Sequence, residues 1–233
     1  MIEPRVILIT GSSRGVGRFL AEYYIEKGRQ VIGCSRKPSD FENTRYHHFT
    51  LDVSDEQAVT DMFFQIDKEY SSLDVLINNA GVASMIPVLL TPLKTMRDIY
   101  STNVFGLFLF CREAAKIMKR NRFGRIINFS SVALPYKLEG EAVYASSKAS
   151  VVSLTQILAR EFGNYNITVN AVGPAPVDTD LIKSLPKDKI ERLVQRQAIK
   201  RKGTFQDIAN VVDFFIKPES DFISGQVLYL GGV

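Results

Sequence analysis

Polar and apolar positions along this chain fall into two alternating patterns. "RVILIT" (5–10), "QVIGCS" (30–35), "GRIINFSS" (124–131) and "ITVNAVGP" (167–174) are short apolar runs rich in β-branched residues. Continuous runs of this kind predict strands buried on both faces, as in a parallel sheet. "YHHFTLDV" (46–53), "LDVLINNAG" (73–81) and "GQVLYLGG" (225–232) bring the set to seven. Between the runs, apolar residues recur at helical spacing. "VGRFLAEYYIEKG" (16–28) predicts a helix stopped by Gly28. "SDEQ" (54–57) predicts a capping box, Ser54 reaching forward and Gln57 reaching back, before an apolar face at Val59, Met62, Phe63 and Ile66. A long helical stretch covers 92–120, a second runs through Val151, Leu154, Leu158 and Phe162, and a capped helix covers 204–215. Strand and helix alternate throughout. That predicts βαβ units: a doubly wound α/β fold, its mostly parallel seven-stranded sheet covered by helices on both faces. No linker, repeat or low-complexity tract divides 1–233, so one domain is expected.

Chemistry concentrates where strands end. "TGSSRGVG" (10–17) joins the first strand to the first helix. Gly11, Gly15 and Gly17 let the backbone turn sharply and approach a pyrophosphate, which the helix N-terminus then meets with free N–H groups. This makes the fold Rossmann-like. A dinucleotide's 2′-hydroxyl is commonly held by an acid after the second strand. Here the chain reads Cys34, Ser35, Arg36, with Arg14 inside the glycine loop. Two guanidiniums and a hydroxyl suit a 2′-phosphate, which arginine grips in a bidentate fork. The expected cofactor is therefore NADP(H) rather than NAD. Further along, "AVYASSKAS" (142–150) sets Tyr144 and Lys148 four positions apart on one helix face. A lysine beside a tyrosine favours the phenolate and is expected to lower the phenol's pKa from roughly 10.

Composition removes other classes. The 233 residues are 45% hydrophobic, with a net charge of +4. No run is long and apolar enough to span a bilayer. "MIEPRVILIT" carries no small-residue cleavage site and does not read as a signal peptide. Cys34 and Cys111 form no C-x-x-C pair, so a reducing cytoplasm is expected. His47 and His48 are the only histidines, and no Cys/His cluster suggests a metal. Residues 183–202 hold eight Lys or Arg against two acids, so this one segment carries +6 and the rest about −2. Nucleic-acid binding asks for a broader basic face with a recognisable motif, and none is present.

T-G-x-x-x-G-x-G at 10–17, N-N-A-G at 78–81, Asn103, Ser131 and Y-x-x-x-K at 144–148 occur in order, with thirteen positions from Ser131 to Tyr144. In this the sequence resembles the single-domain short-chain dehydrogenases/reductases over essentially its whole length. "RIINFSSVA" and "ITVNAVGPAPVDTDL" resemble in particular the β-ketoacyl-(acyl carrier protein) reductases. The resemblance implies that Tyr144 gives a proton to a carbonyl oxygen as hydride arrives. Lys148 would tune Tyr144 and hold the nicotinamide ribose. Ser131, rather than its neighbour Ser130, would hydrogen-bond the substrate oxygen, and Asn103 would anchor a water leading to Lys148. Ser13, Arg14 and Val16 would complete the glycine loop's cofactor contacts. Asp52 and Val53 would meet the adenine, Asn79, Ala80 and Gly81 would line the cofactor, and Pro174, Val177 and Thr179 would lie at its carboxamide. The family's Pro-Gly after the sixth strand is Pro174-Ala175 here.

The resemblance also implies a substrate-covering segment near 178–205, which contains the +6 stretch, and a homo-oligomer, tetramer or dimer, built from the last strand and the two long helices. A second basic cluster, Lys119, Arg120, Arg122 and Arg125, precedes the fifth strand's core. Basic groups near the mouth favour an acidic or phosphorylated partner such as acyl carrier protein or coenzyme A. Of the two arginines that dock the carrier in such reductases, Arg122 falls at the first position and uncharged Tyr165 at the second. An unrelated carbonyl or alcohol, such as a sugar, steroid or polyketide intermediate, is the alternative substrate; a non-catalytic NADP sensor is a third reading.

Overall fold

A computed structural model describes residues 5–179, 182 and 187–233. The seven strands are β1 (Val6–Thr10), β2 (Gln30–Ser35), β3 (Tyr46–Thr50), β4 (Val75–Asn78), β5 (Gly124–Phe129), β6 (Ile167–Gly173) and β7 (Val227–Tyr229). They form one sheet in the order β3-β2-β1-β4-β5-β6-β7, and every neighbouring pair is parallel. The order reverses between β1 and β4, which opens a crevice at their carboxyl ends.

The continuous apolar runs have a direct cause: side chains alternate across the sheet and both faces are covered. Leu8, Ile32, Leu76, Ile126 and Val169 face one core with Phe63, Phe110 and Val151. These last three come from α2 (Glu56–Tyr70), α4 (Leu107–Asn121) and α6 (Ala142–Phe162). Ile7, Ile9, Val31, Ile77 and Ile127 face the other core with Leu20, Tyr24, Val212 and Phe215, from α1 (Gly15–Glu26) and α8 (Phe205–Ile216). Each fully buried Leu, Ile or Phe stabilises the fold by about 1.5–3 kcal/mol, so both layers are strongly fixed to the sheet.

Three predicted elements differ in detail. The stretch 92–120 is not one regular helix. It comprises α3 (Leu93–Tyr100), a widened π-type turn at Ser101–Gly106, and α4. Gly106 backs onto Val53, where a Cβ would stand 2.7 Å from Val53 Cγ2, so the chain passes too close for any side chain. The "SDEQ" box is not formed. Asp55 caps α2 by accepting from Ala58 N at 3.1 Å, while the Ser54 hydroxyl donates to Asp52 Oδ1 at 2.7 Å. Gln57 reaches Asp61 instead of turning back. The complete capping box is at α8, where Thr204 and Asp207 exchange hydrogen bonds. The shorter helices are α5 (Ala133–Tyr136) and α7 (Lys187–Arg196).

Candidate active site

The expected residues come from distant parts of the chain and meet at the carboxyl edge of the sheet. β1 ends at Thr10 and enters the glycine turn, in which Gly11 and Gly15 take φ values of +69° and +58°. These are left-handed conformations open to glycine. At Gly17 a Cβ would lie 2.3 Å from the Gly11 carbonyl oxygen, so the first turn of α1 closes directly on the loop. Asn79 seals the cradle from β4, its Nδ2 donating to the Thr10 and Gly11 carbonyls at 2.9 and 3.2 Å. Ala80 N donates to Thr10 Oγ1 at 2.9 Å. Thr179 stands over Gly15, Arg14 is exposed, Ser13 is half-buried, and Val16 packs against the core of the α1 side. This glycine-floored cradle, with exposed N–H groups at the start of α1, fits a pyrophosphate.

On the far side of β1, Ser35 closes β2. Its hydroxyl donates to the Lys37 carbonyl at 2.6 Å and lies 3.0 Å from His48 Nε2. His48 Nδ1 in turn meets Tyr46 at 2.8 Å, and Tyr46 meets Ser12 in the glycine loop at 2.9 Å. This chain ties the glycine loop to the turn bearing exposed Arg36. Burial works to raise the Asp52 carboxyl, but two hydrogen bonds from Ser54, helped by the charge of Arg36, hold it below the usual range. Val53 and Ala80 line one narrow cleft with Thr10 and Thr102.

The reactive groups lie beyond β4. Lys148 is 5% exposed, and its Nζ donates to the Phe129 carbonyl at 2.7 Å. The ammonium stands 5.8 Å from the Tyr144 ring centroid. Ser131 follows β5, accepts from Ala133 N at 3.2 Å, and is near enough to the Tyr144 phenol to draw it down. Ser130 points elsewhere: its N–H pairs with Val172 O, and its buried hydroxyl has no partner. Asn103 is the inward residue of the widened turn. Its Oδ1 accepts from Val82 N and its Nδ2 donates to Val82 O, both at 2.9 Å, and to Ser147 Oγ at 3.0 Å. The amide expected to anchor a water thus ties the turn after β4 to α6. Gly81 lies in that turn, where a Cβ would be 3.4 Å from Asn103 Oδ1 and 3.6 Å from Lys148 Nζ. Ala175 is buried in the turn after β6, where Val132 N donates to the Pro174 carbonyl at 3.3 Å. Val177 continues as a bridge to Gly203.

The electrostatics correct one expectation. Lys148 does not lower the Tyr144 phenol. Burial pushes that phenol up to about 12, Ser131 pulling it down and the charge of Glu141 pushing it further up. Burial also draws Lys148 down to about 8. Desolvation outweighs attraction because the ammonium is aimed at Phe129, not at the phenol oxygen. Tyr144 is therefore fully protonated at neutral pH, as a proton donor must be. Glu141 and the His48 chain are the parts of the site that the sequence reading missed. Glu141's only local signal was its place three residues before Tyr144.

The basic segments are less open than the sequence suggested. Arg201 pairs with Asp207 and Lys202 with Asp178, each at 2.7 Å, and Arg192 pairs with Asp188. Part of 178–205 lies outside the described residues, including Asp180, Leu181 and residues 183–186. Arg125 is buried rather than surface-facing, and Arg120 pairs with Asp67. Arg122 and Arg125 line a cavity of about 370 Å³ at the amino ends of β5 and β6, opposite the glycine cradle and away from Tyr144. Among the described residues no helix is long and apolar enough to cross a membrane, and Cys34 and Cys111 are free, buried thiols.

Comparison with known proteins agrees with this layout. A family model described as Enoyl-(Acyl carrier protein) reductase matches residues 11–232. The 3-oxoacyl-(acyl-carrier-protein) reductase FabG of Vibrio cholerae serotype O1 is 31% identical, over 99% of this chain and 97% of its own. Two solved structures have similar folds. A 4-hydroxyisoleucine dehydrogenase complexed with NADH has a TM-score of 0.88 and 28% identity, over 98% of this chain and 97% of its own. ElxO with NADP bound has a TM-score of 0.89 and 27% identity, over 97% of each chain.

Proposed function

The chain belongs to the short-chain dehydrogenase/reductase family, and we propose that it is an NADP(H)-dependent reductase of a carbonyl compound, most closely a β-ketoacyl thioester. One observation carries the catalytic reading: Ser131, Tyr144 and Lys148 converge beside the glycine cradle, with the phenol held protonated. When bound, the nicotinamide supplies the hydride. Gly11, Ser13, Arg14, Gly15, Val16 and Gly17 hold the pyrophosphate end, and Ser35 and Arg36 the 2′-phosphate. Asp52 and Val53 border the adenine. Asn79, Ala80 and Gly81 would line the cofactor, and Pro174, Val177 and Thr179 would lie at its carboxamide.

Ser131 donates a hydrogen bond to the substrate oxygen and Tyr144 gives it a proton, two donors aimed where negative charge develops. Lys148 binds ribose hydroxyls and keeps positive charge beneath the phenol as the proton leaves. Asn103 holds the Gly81–Val82 turn in register with α6. The cofactor preference rests on the absence of an acid after β2 together with Arg36 and Arg14, and ElxO, similar over nearly its whole length, is a protein with NADP bound.

The thioester reading is supported by the 31% identity to a 3-oxoacyl-(acyl-carrier-protein) reductase. Phe105, Phe108 and Ile157, exposed on the α4 and α6 side, offer an apolar face for the expected homo-oligomer. The test is loss of NADPH absorbance with an acetoacetyl thioester, with NADH in parallel. Rapid loss with NADPH supports both parts. Faster loss with NADH overturns the cofactor assignment, and reduction of other ketones but no thioester overturns the substrate assignment.

A further inference from the structure

Glu141 is the buried ionisable group of the site for which the proposed reaction has no use. It immediately precedes α6, and its carbonyl accepts from Ala145 N at 2.7 Å, which fixes it one turn before Tyr144. Only 7% of the residue is exposed, and its Oε2 is buried with no hydrogen-bond partner. Burial pushes the carboxyl up to about 7, while Lys189 draws it down. Its charge in turn reaches the Tyr144 phenol.

Glu141 stands at the start of α6, three residues and about one helical turn before Tyr144. The roof is closed by residues 85 and 86. Lys189 Nζ donates to Met85 Sδ at 3.4 Å, and Ile86 N donates to the Gly140 carbonyl at 2.8 Å. Met85 packs so near Gly140 that a Cβ there would be 3.3 Å from Met85 Cγ. An acceptor enclosed without a donor is costly, and a structural carboxylate in such a place is ordinarily paired.

We propose that Glu141 is a specificity-determining residue, whose carboxyl accepts a hydrogen bond from a substrate hydroxyl on the carbon next to the reacting carbonyl. The preferred substrate is then a hydroxyketone, free or as part of an acyl thioester. The inference rests on the carbonyl-reductase reading, with Tyr144 as the acid, but not on the thioester. A site built to accept from a hydroxyl discriminates strongly against the analogue lacking it, because its own polar group is then left unpaired.

The test compares 1-hydroxy-2-butanone with butanone, and the 4-hydroxy-3-oxobutanoyl with the 3-oxobutanoyl thioester of N-acetylcysteamine, with NADPH at saturation. The quantity read is the ratio of kcat/KM within each pair for each protein, so a general loss of activity or of folded protein cancels. The wild-type protein should favour the hydroxylated member by roughly tenfold or more, chiefly in KM. Glu141→Gln, which keeps an acceptor oxygen, should retain part of that ratio, and Glu141→Leu should bring it near one. Equal ratios in all three proteins overturn the inference and leave the reductase reading intact. Reduction of none of the four compounds by the wild-type protein counts against the reductase reading, and the inference falls with it.

Discussion

Lys148→Met should make the protein more stable relative to wild type at neutral pH than at high pH. The ammonium is enclosed, hydrogen-bonded only to the Phe129 carbonyl, and burial lowers it from 10.5 to about 8. Between those two values the unfolded chain binds the proton more tightly than the native protein does. Native stability therefore rises with pH across that window, as the buried group gives up its charge. At about 1.4 kcal/mol per pH unit, the interval amounts to about 3 kcal/mol. Methionine has nearly the same shape and no charge to desolvate. The Phe129 carbonyl loses its partner in the variant, but that loss does not change with pH. Tyr144 is held at about 12 and the buried thiols Cys34 and Cys111 are also pushed up to about 12, so their contributions occur in both proteins and cancel in the difference. Urea unfolding of the two proteins from pH 7 to 10.5 measures it. The stability of wild type minus that of the variant should climb by about 3 kcal/mol over the range. A constant difference refutes the buried-charge account. A difference falling with pH would mean instead that Lys148 is ion-paired in the native state.

Three further outcomes follow from the same geometry. Arg36→Asp should raise KM for NADPH by roughly 10- to 100-fold with little effect on KM for NADH, since a charge-assisted bond to phosphate is replaced by repulsion; parallel titrations of the two cofactors check it. Gly17→Ala would set a Cβ 2.3 Å from the Gly11 carbonyl oxygen, so dinucleotide binding measured by calorimetry should be lost and unfolding should move to lower denaturant. Asn103→Leu keeps the volume but strips partners from Val82 N, Val82 O and Ser147 Oγ, and should cost about 2–4 kcal/mol in chemical unfolding.

Much of this molecule was legible in its sequence because the sheet is covered on both faces. Uninterrupted runs such as Val6–Thr10 and Ile167–Gly173 have few other uses, and the turns between them carry their glycines in the open. The glycine cradle and the Tyr144–Lys148 spacing depend on local pattern and strand order, so they too could be read, while Ser131 was reached only through the resemblance to the family. What escaped depends on three-dimensional surroundings. The direction of Tyr144's pKa is set by burial and by where Lys148 Nζ points, and neither has a signature in Y-x-x-x-K. The break at Ser101–Gly106 goes with contacts distant in sequence, Gly106 against Val53 some fifty residues away and Asn103 on Val82. The cap of α2 shifted from Ser54 to Asp55 because Asp52 captured the Ser54 hydroxyl. His48 looked like one of two adjacent histidines. Only the pairing of β2 with β3 puts it between Tyr46 and Ser35.

The central claim is that Tyr144 delivers the proton while the rest of the chain holds the cofactor independently of it. Tyr144→Phe tests it most directly, with NADPH affinity measured by fluorescence titration alongside carbonyl reduction by the same preparation. Turnover should fall by roughly 10²- to 10⁴-fold, the range a positioned general acid supplies, with NADPH affinity within about twofold of wild type. A variant that still turns over at near the wild-type rate, or that loses NADPH binding together with activity, would contradict the account.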